Sequence, residues 1–354
     1  METKPLRWAI LATLLVLSGT VGAIGGTAAG AQLRAHVVAI QVQPDSAGAI
    51  VNIDTTVVTG NGSGRAAGTG LVLNSQGEVL TNNHVVEGAI KITVTPAGGS
   101  VGYSANVVGV DPAADLAVLQ VVGVKGWPTA SFADSAKASV GDKVSAMGNA
   151  LGLDGVPRVS TGKITALAQS ITAGGSLGAS EQLSNLIMFD ATVEPGESGG
   201  PLLNANGQVL GLITASSGNG NLPSSPAYAI PANTALQVAH QIESGQASAD
   251  IILGQVGYMG VVAQDLTAAD AAALGLSVQA GVLIVGVNAG SPAESAGMVS
   301  GSVVVEVAGQ AVATEAELRA IMHTYKPGQA VMVKWVDAQG AHSASMTLTS
   351  GPVV

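Results

Sequence analysis

A mainly β protein, with an export segment in front and a smaller α+β unit behind, is the fold class this sequence predicts. Three observations carry the prediction. Short apolar runs separated by glycine-rich turns extend from about Ala49 to Tyr228. An uncharged run fills Trp8 to Leu33, and helical periodicity enters only in a few short segments late in the chain. With 354 residues there is room for about two or three domains, each with a sizeable core.

The first element is the uncharged run. "METKPLR" places Lys4 and Arg7 before "WAILATLLVL", which fits the positive-inside rule with Met1 in the cytoplasm and the rest outside. The run is long enough to cross a bilayer as an anchor. Ala29 and Ala31 also form an A-x-A-like cleavage site, so a removed signal peptide is the alternative. The expected location is the cell membrane, single-pass with the bulk of the chain extracytoplasmic, or secretion if the segment is cleaved.

The β region follows. "AIVNIDTTVV", "GTGLVLNS", "GEVLTNNHVV", "IKITVT", "ANVVGV" and "LAVLQV" read as strands, and so do "KVSAMG", "VSTGKITAL", "LIMFDAT", "GQVLGLIT" and "PAYAIP". Many short strands between glycine-rich turns signal a barrel or a sandwich. "NTALQVAHQIES" has helical spacing, with Asn233 as N-cap and Gly245 just past the end. "GQASADIILGQ" reads as a linker. From Tyr258 to Ser350, strands "AGVLIVGV", "SVVVEVAG", "QAVMVKWV" and "SASMTLT" enclose two helical segments. One of these starts at Thr267 with Asp270 in a capping-box pattern, and the other is "TEAELRAIMHTY".

Composition narrows the chemistry. A net charge of −10 without a basic cluster argues against nucleic acid as a partner. The absence of cysteine excludes disulfides and thiolate catalysis. No His or carboxylate cluster has metal-ligand spacing, so neither a metal nor another cofactor is expected.

Catalytic chemistry is signalled by "VEPGESGGPLLN", a tight loop that sets Ser198 among glycines whose N–H groups can approach a ligand. A serine nucleophile needs a base, and the base needs an orienting group. Of the five histidines, His36, His240, His323 and His342 fall in a linker, on a helix, near a helix end and in a polar turn. His84 instead ends the strand of "GEVLTNNHVV". Asp115 leads into the apolar strand "LAVLQV", where a buried carboxylate requires a partner that His84 can supply. The order His84, Asp115, Ser198 is that of the chymotrypsin group.

The strings "GTGLVLNSQGEVLTNNHVV", "DPAADLAVLQV" and "FDATVEPGESGGPLLNANGQVLGL" resemble the HtrA/Deg family of trypsin-like serine proteases, in particular its actinobacterial PepA-like branch. "GYMGV", "GSPAESAGM" and "AELRAIMHTYKPGQ" resemble that family's PDZ domain. The resemblance implies two six-stranded antiparallel β-barrels followed by a small α+β PDZ domain. The expected division is a cytoplasmic N-terminus 1–7, a signal or membrane segment 8–31, a linker 32–48, a protease domain 49–244, a linker 245–255 and a PDZ domain 256–351. It further implies an oxyanion hole at the N–H groups of Gly196 and Ser198. A specificity pocket would have Thr192 at its floor and Leu212, Ile213 and Thr214 along one wall, favouring cleavage after small aliphatic residues. The carboxylate loop of the PDZ domain would be Tyr258, Met259, Gly260 and Val261.

Implied partners are unfolded or damaged proteins, peptides with free apolar C-termini, and the membrane through the N-terminal segment. A homotrimer also belongs to the family pattern, although no aromatic residue stands between Trp8 and Tyr103 to build its contacts. Glu197 departs from the Asn usual in HtrA proteins and the Asp of trypsin-like relatives, and Glu194 from the Asn frequent in HtrA proteins, which questions the resting state of the loop. The competing readings are a proteolytically weak PDZ scaffold and a chaperone-like binding protein.

Overall fold

The computed structural model describes residues 47–59, 62–149, 155–174, 180–216, 226–248 and 250–353. Its first sheet contains β1 (Ile50–Thr59), β2 (Gly62–Val72), β3 (Glu78–Thr81), β4 (Ala89–Pro96), β5 (Tyr103–Asp111) and β6 (Leu116–Val121), with a helical turn α1 (Asn83–Val86) after β3. The second contains β7 (Lys143–Gly148), β8 (Arg158–Gly174), β9 (Ser180–Phe189), β10 (Pro201–Leu203), β11 (Val209–Ser216) and β12 (Ala227–Pro231), followed by α2 (Ala232–Glu243). A short β13 (Ile252–Leu253) leads to the C-terminal unit. That unit comprises β14 (Gly257–Tyr258), β15 (Val261–Asp265), α3 (Ala268–Leu274), β16 (Val282–Val287), α4 (Pro292–Ser295), β17 (Val303–Val307), β18 (Gln310–Ala311), α5 (Glu315–His323), β19 (Ala330–Asp337), β20 (Gly340–Thr347) and β21 (Thr349–Ser350).

β7 to β12 close into a six-stranded barrel in the order β10-β11-β12-β9-β8-β7. The expectation of a matching six-stranded first barrel is corrected. That sheet has seven strands, β13-β5-β4-β1-β2-β3-β6, with β5 also pairing β6. The extra strand comes from the linker, where Ile252 and Leu253 pair antiparallel with Val110 and Gly109.

Sequence dictates much of this packing. β1 is rich in β-branched residues and buries Ile50 and Ile53 completely. Its neighbour β2 carries Gly68 and Gly70 because inner space is short: a Cβ on Gly68 would stand 2.5 Å from Val85 Cγ1, and one on Gly70 2.7 Å from Val79 Cγ1. One apolar cluster fills the first sheet and another the closed barrel. A third, including Leu71, Leu80, Leu186 and Leu212, joins both to Ala235, Val238 and Ile242 of α2. Each fully buried Leu or Ile contributes roughly 1.5–3 kcal/mol, so the two β units are held as one body by this shared core. The C-terminal unit has its own core around Ile284, Val304, Val333 and Trp335.

Two further expectations change. Asn233 is not the N-cap of α2; Pro231 is, and Asn233 lies inside the helix bonded to Asp134 and Ser135. The single-pass membrane topology and the membrane as partner are also withdrawn. Among the described residues no helix is long and apolar enough to cross a membrane, and the expected span at 8–31 lies outside the described residues.

Candidate active site

The turn between β5 and β6 sets the acid. Asp111 Oδ1 accepts the N–H of Ala114 at 3.0 Å, and Asp115 N–H reaches Pro112 O at 3.1 Å. The chain then enters β6 with Asp115 at φ 53°, a left-handed conformation that Asp tolerates better than most residues. Asp115 is only 1% exposed. Burial without donors would be costly, and Asp115 has several. It accepts from His84 N at 3.0 Å, from the Thr214 hydroxyl, and from His84 Nδ1, which lies 3.0 and 2.9 Å from its two oxygens. Asn82 Nδ2 donates to the Asp115 carbonyl at 2.9 Å. Because a carboxylate can only accept, Nδ1 of His84 carries a proton, and in the neutral ring the lone pair is then on Nε2.

Thr214 links this pair to the serine loop. While its hydroxyl donates to Asp115, its carbonyl lies 3.4 Å from Ser198 Oγ. The loop itself is drawn against β2: Thr69 N–H donates to Ser198 O at 2.8 Å, and the Thr69 hydroxyl donates to Gly196 O at 2.8 Å. Gly199 and Gly200 cannot be replaced by larger residues. A Cβ would stand 2.0 Å from Thr69 O at the first and 2.2 Å from Met147 O at the second. Neither Gly196 N–H nor Ser198 N–H donates to an acceptor among the described residues.

Both unusual acids have partners of their own. Glu194 pairs with Arg158 at the start of β8. Glu197 is 1% exposed, and its Oε2 accepts Glu194 N–H at 3.0 Å. Burial pushes its carboxyl up to about 7, against the opposing pull of Arg158.

The structure thus brings His84, Asp115, Ser198 and Gly196 to one place. The residues named for the specificity pocket have different neighbours. Leu212 and Ile213 are buried in two different cores, Thr214 faces Asp115, and Thr192 is exposed with its carbonyl accepting from Ser160. Sequence reading missed Thr69, Asn82 and Arg158; the first two lie inside the string that carries His84, but nothing in their residue type points to the serine loop or to the Asp115 carbonyl.

In the C-terminal unit Tyr258 belongs to β14, Met259 is buried in the core, and Val261 begins β15. Gly260 takes φ 84°, and a Cβ there would stand 2.1 Å from Ser291 Cβ. β15 pairs only with β16 and so forms a sheet edge, with Leu318 and Met322 of α5 packed in the core beneath.

The trypsin-like peptidase domain family matches residues 68–212 and the PDZ domain family residues 257–336. A serine peptidase of trypsin type carrying a PDZ domain is the class that fold and site define. The chain is 36% identical over 291 residues to the "Probable periplasmic serine protease do/HhoA-like" of Haemophilus influenzae, covering 80% of this chain and 58% of that protein. It is 34% identical over 292 residues to the "Putative serine protease HhoB" of Synechocystis, covering 81% and 67%. Against "Serine protease Do-like HtrB" of Bacillus subtilis the figures are 36% over 246 residues, covering 69% and 53%. The chain belongs to the HtrA/Deg family of trypsin-like serine proteases with a C-terminal PDZ domain. It spans about half to two thirds of the length of these relatives.

Proposed function

We propose that the chain is a serine endopeptidase acting on misfolded or cell-envelope proteins, with Ser198 as nucleophile, His84 as general base and Asp115 as its orienting acid. The observation that carries this reading is the chain of contacts from His84 Nδ1 to Asp115, from Asp115 to the Thr214 hydroxyl, and from the Thr214 carbonyl to Ser198 Oγ. With Nδ1–H committed to Asp115, Nε2 takes the Ser198 proton as Oγ attacks the peptide carbonyl. The tetrahedral oxyanion is received by the N–H groups of Gly196 and Ser198, where one donor is worth about 2.7–4 kcal/mol in the transition state. The imidazolium then protonates the leaving amine, and water repeats the sequence in reverse to release the acyl group.

The specificity reading stays with small aliphatic residues before the scissile bond, because Thr192 offers no carboxylate to a basic side chain. The Tyr258–Val261 loop would receive a C-terminal carboxylate, and the open edge of β15 would pair with the peptide by strand addition. The working division is protease 49–244, linker 245–255 and PDZ 256–351. The finer placement in the actinobacterial PepA-like branch rests on the likeness of the quoted motifs.

A fluorophosphonate probe tests the reading directly. Wild type should be labelled and cleave casein, and Ser198→Ala should do neither. Equal labelling of the two would remove Ser198 from the mechanism.

A further inference from the structure

Glu194, Pro195, Gly196 and Glu197 form a four-residue turn closed by Glu197 N–H on Glu194 O at 3.1 Å. Pro-Gly at the centre, with Gly196 at φ 95°, is the type II pattern. Type I and type II turns differ by a flip of the central peptide, here Pro195–Gly196. That peptide carries the Gly196 N–H, so the type of this turn decides whether the donor faces the site or away from it.

The Glu197 side chain closes the same turn a second time, by accepting Glu194 N–H at 3.0 Å. The carboxyl is not free to leave. A Cβ on Gly148 of β7 would stand 2.7 Å from Glu197 Cα and 2.9 Å from its Cβ, so Glu197 lies directly on the β7 backbone. The other end of the turn is fastened to β8, where Arg158 pairs with the Glu194 carboxylate. Adjacent strands of one closed barrel therefore hold both ends of a turn whose middle peptide presents the oxyanion donor.

Building on the function proposed above, we infer that Glu197 is a positioning residue, whose ionised carboxyl, backed by the Arg158–Glu194 pair, holds this turn in the form that aims Gly196 N–H into the site. Ionisation matters because an N–H···carboxylate bond is roughly twice as strong as its neutral counterpart. Among the described residues the charge acting on this carboxyl is Arg158 from β8; its own turn offers the Glu194 backbone N–H, and β7 presents the backbone at Gly148. Burial raises Glu197 to about 7, so the latch is set and released in the neutral range.

The test uses the full chain and a chromogenic peptide with alanine before the scissile bond, with kcat and KM followed from about pH 5 to 9. If His84 and Glu197 must both lose a proton, the acid limb of log(kcat/KM) steepens toward a slope of about two. Glu197→Gln keeps an acceptor of the same shape but neither charge nor titration, so its acid limb should have a slope of about one, and its kcat at pH 8 should fall below wild type but stay above that of Glu197→Ala. Glu197→Ala removes the acceptor and should lower kcat roughly tenfold or more with little change in KM. Arg158→Gln should move the upper inflection to higher pH in wild type and have no such effect in the Glu197→Gln background. An acid limb unchanged in Glu197→Gln, or Glu197→Ala within twofold of wild type, overturns the inference. Fluorophosphonate labelling separates the two levels: unlabelled wild type defeats the Ser198 reading, whereas labelled wild type with indifferent Glu197 variants defeats only the latch.

Discussion

Thr214 was expected in the wall of a pocket, yet its hydroxyl is spent on Asp115 and its carbonyl on Ser198. Thr214→Val keeps the volume and removes one donor from a buried carboxylate. A hydrogen bond to a charged group contributes about 1.5–3 kcal/mol, so kcat/KM should fall about ten- to hundredfold with the chain still folded, as measured on the chromogenic peptide. Glu197 makes a second residue-level prediction, in stability. Its ordinary value of 4.5 rises to about 7 in the fold through burial. Below 4.5 both folded and unfolded chains are protonated there and no cost arises. Between 4.5 and 7 the unfolded chain ionises first and folding loses stability; above 7 the loss is complete. Glu197→Gln escapes it. Its stability advantage, read as a Tm difference, should grow across that window and then level off, reaching about 2 kcal/mol at pH 8 after allowance for solvent screening. A Tm difference that is flat from pH 5 to 8 would contradict the burial argument. The triad positions were legible because each sits inside a string whose local pattern is constrained. Thr214 and Arg158 were not, because their roles exist only where distant strands meet, and nothing in "GLITA" or "VPRVS" records the partner.

Among the elements, those with a local cause were the readable ones. The capping box at Thr267 and Asp270 forms as expected, with Gly275 closing α3 at φ 67°. Thr314 and Glu317 make the same box on α5. The start of α2 was misplaced by two residues because Asn233, a strong N-cap type, is instead held by Asp134 and Ser135 from ninety-eight or more residues earlier. β13 was invisible for a similar reason: Ile252 and Leu253 become a strand only when β5 offers an edge. Thr314→Ala should therefore lower the stability of the C-terminal unit by about 1 kcal/mol through loss of a cap. Fluorescence of Trp335, buried in that unit, follows its unfolding in denaturant. A midpoint unchanged in Thr314→Ala would show that the α5 start is held by packing alone.

At the scale of the molecule, two backbone straps tie the C-terminal unit to the first sheet. One is β13, extended by Gly254 N–H on Val108 O at 2.7 Å and by the Lys326 ammonium on Leu253 O. The other is the segment after β21, where Val353 N–H donates to Ala89 O at 3.0 Å and Gly88 N–H donates to Val353 O at 2.8 Å. Val353 also packs against the apolar cluster of the first sheet. Gly88 directly follows Glu87, the C-cap residue of α1, and α1 carries His84. The second strap thus fastens the PDZ unit to the end of the element that presents the proposed base. Val353→Pro deletes one N–H donor and leaves the carbonyl, so its direct cost should be about 1 kcal/mol. Because Val353 lies outside the C-terminal core, the Trp335 unfolding midpoint should not move. What should change is amide exchange at Gly88, which becomes faster, together with a several-fold fall in kcat as the His84 turn loosens. If Gly88 exchange rises while kcat stays at the wild-type value, the strap is structural only. If exchange at Gly88 is unaltered, the strap does not persist in solution and the two units are coupled through β13 alone.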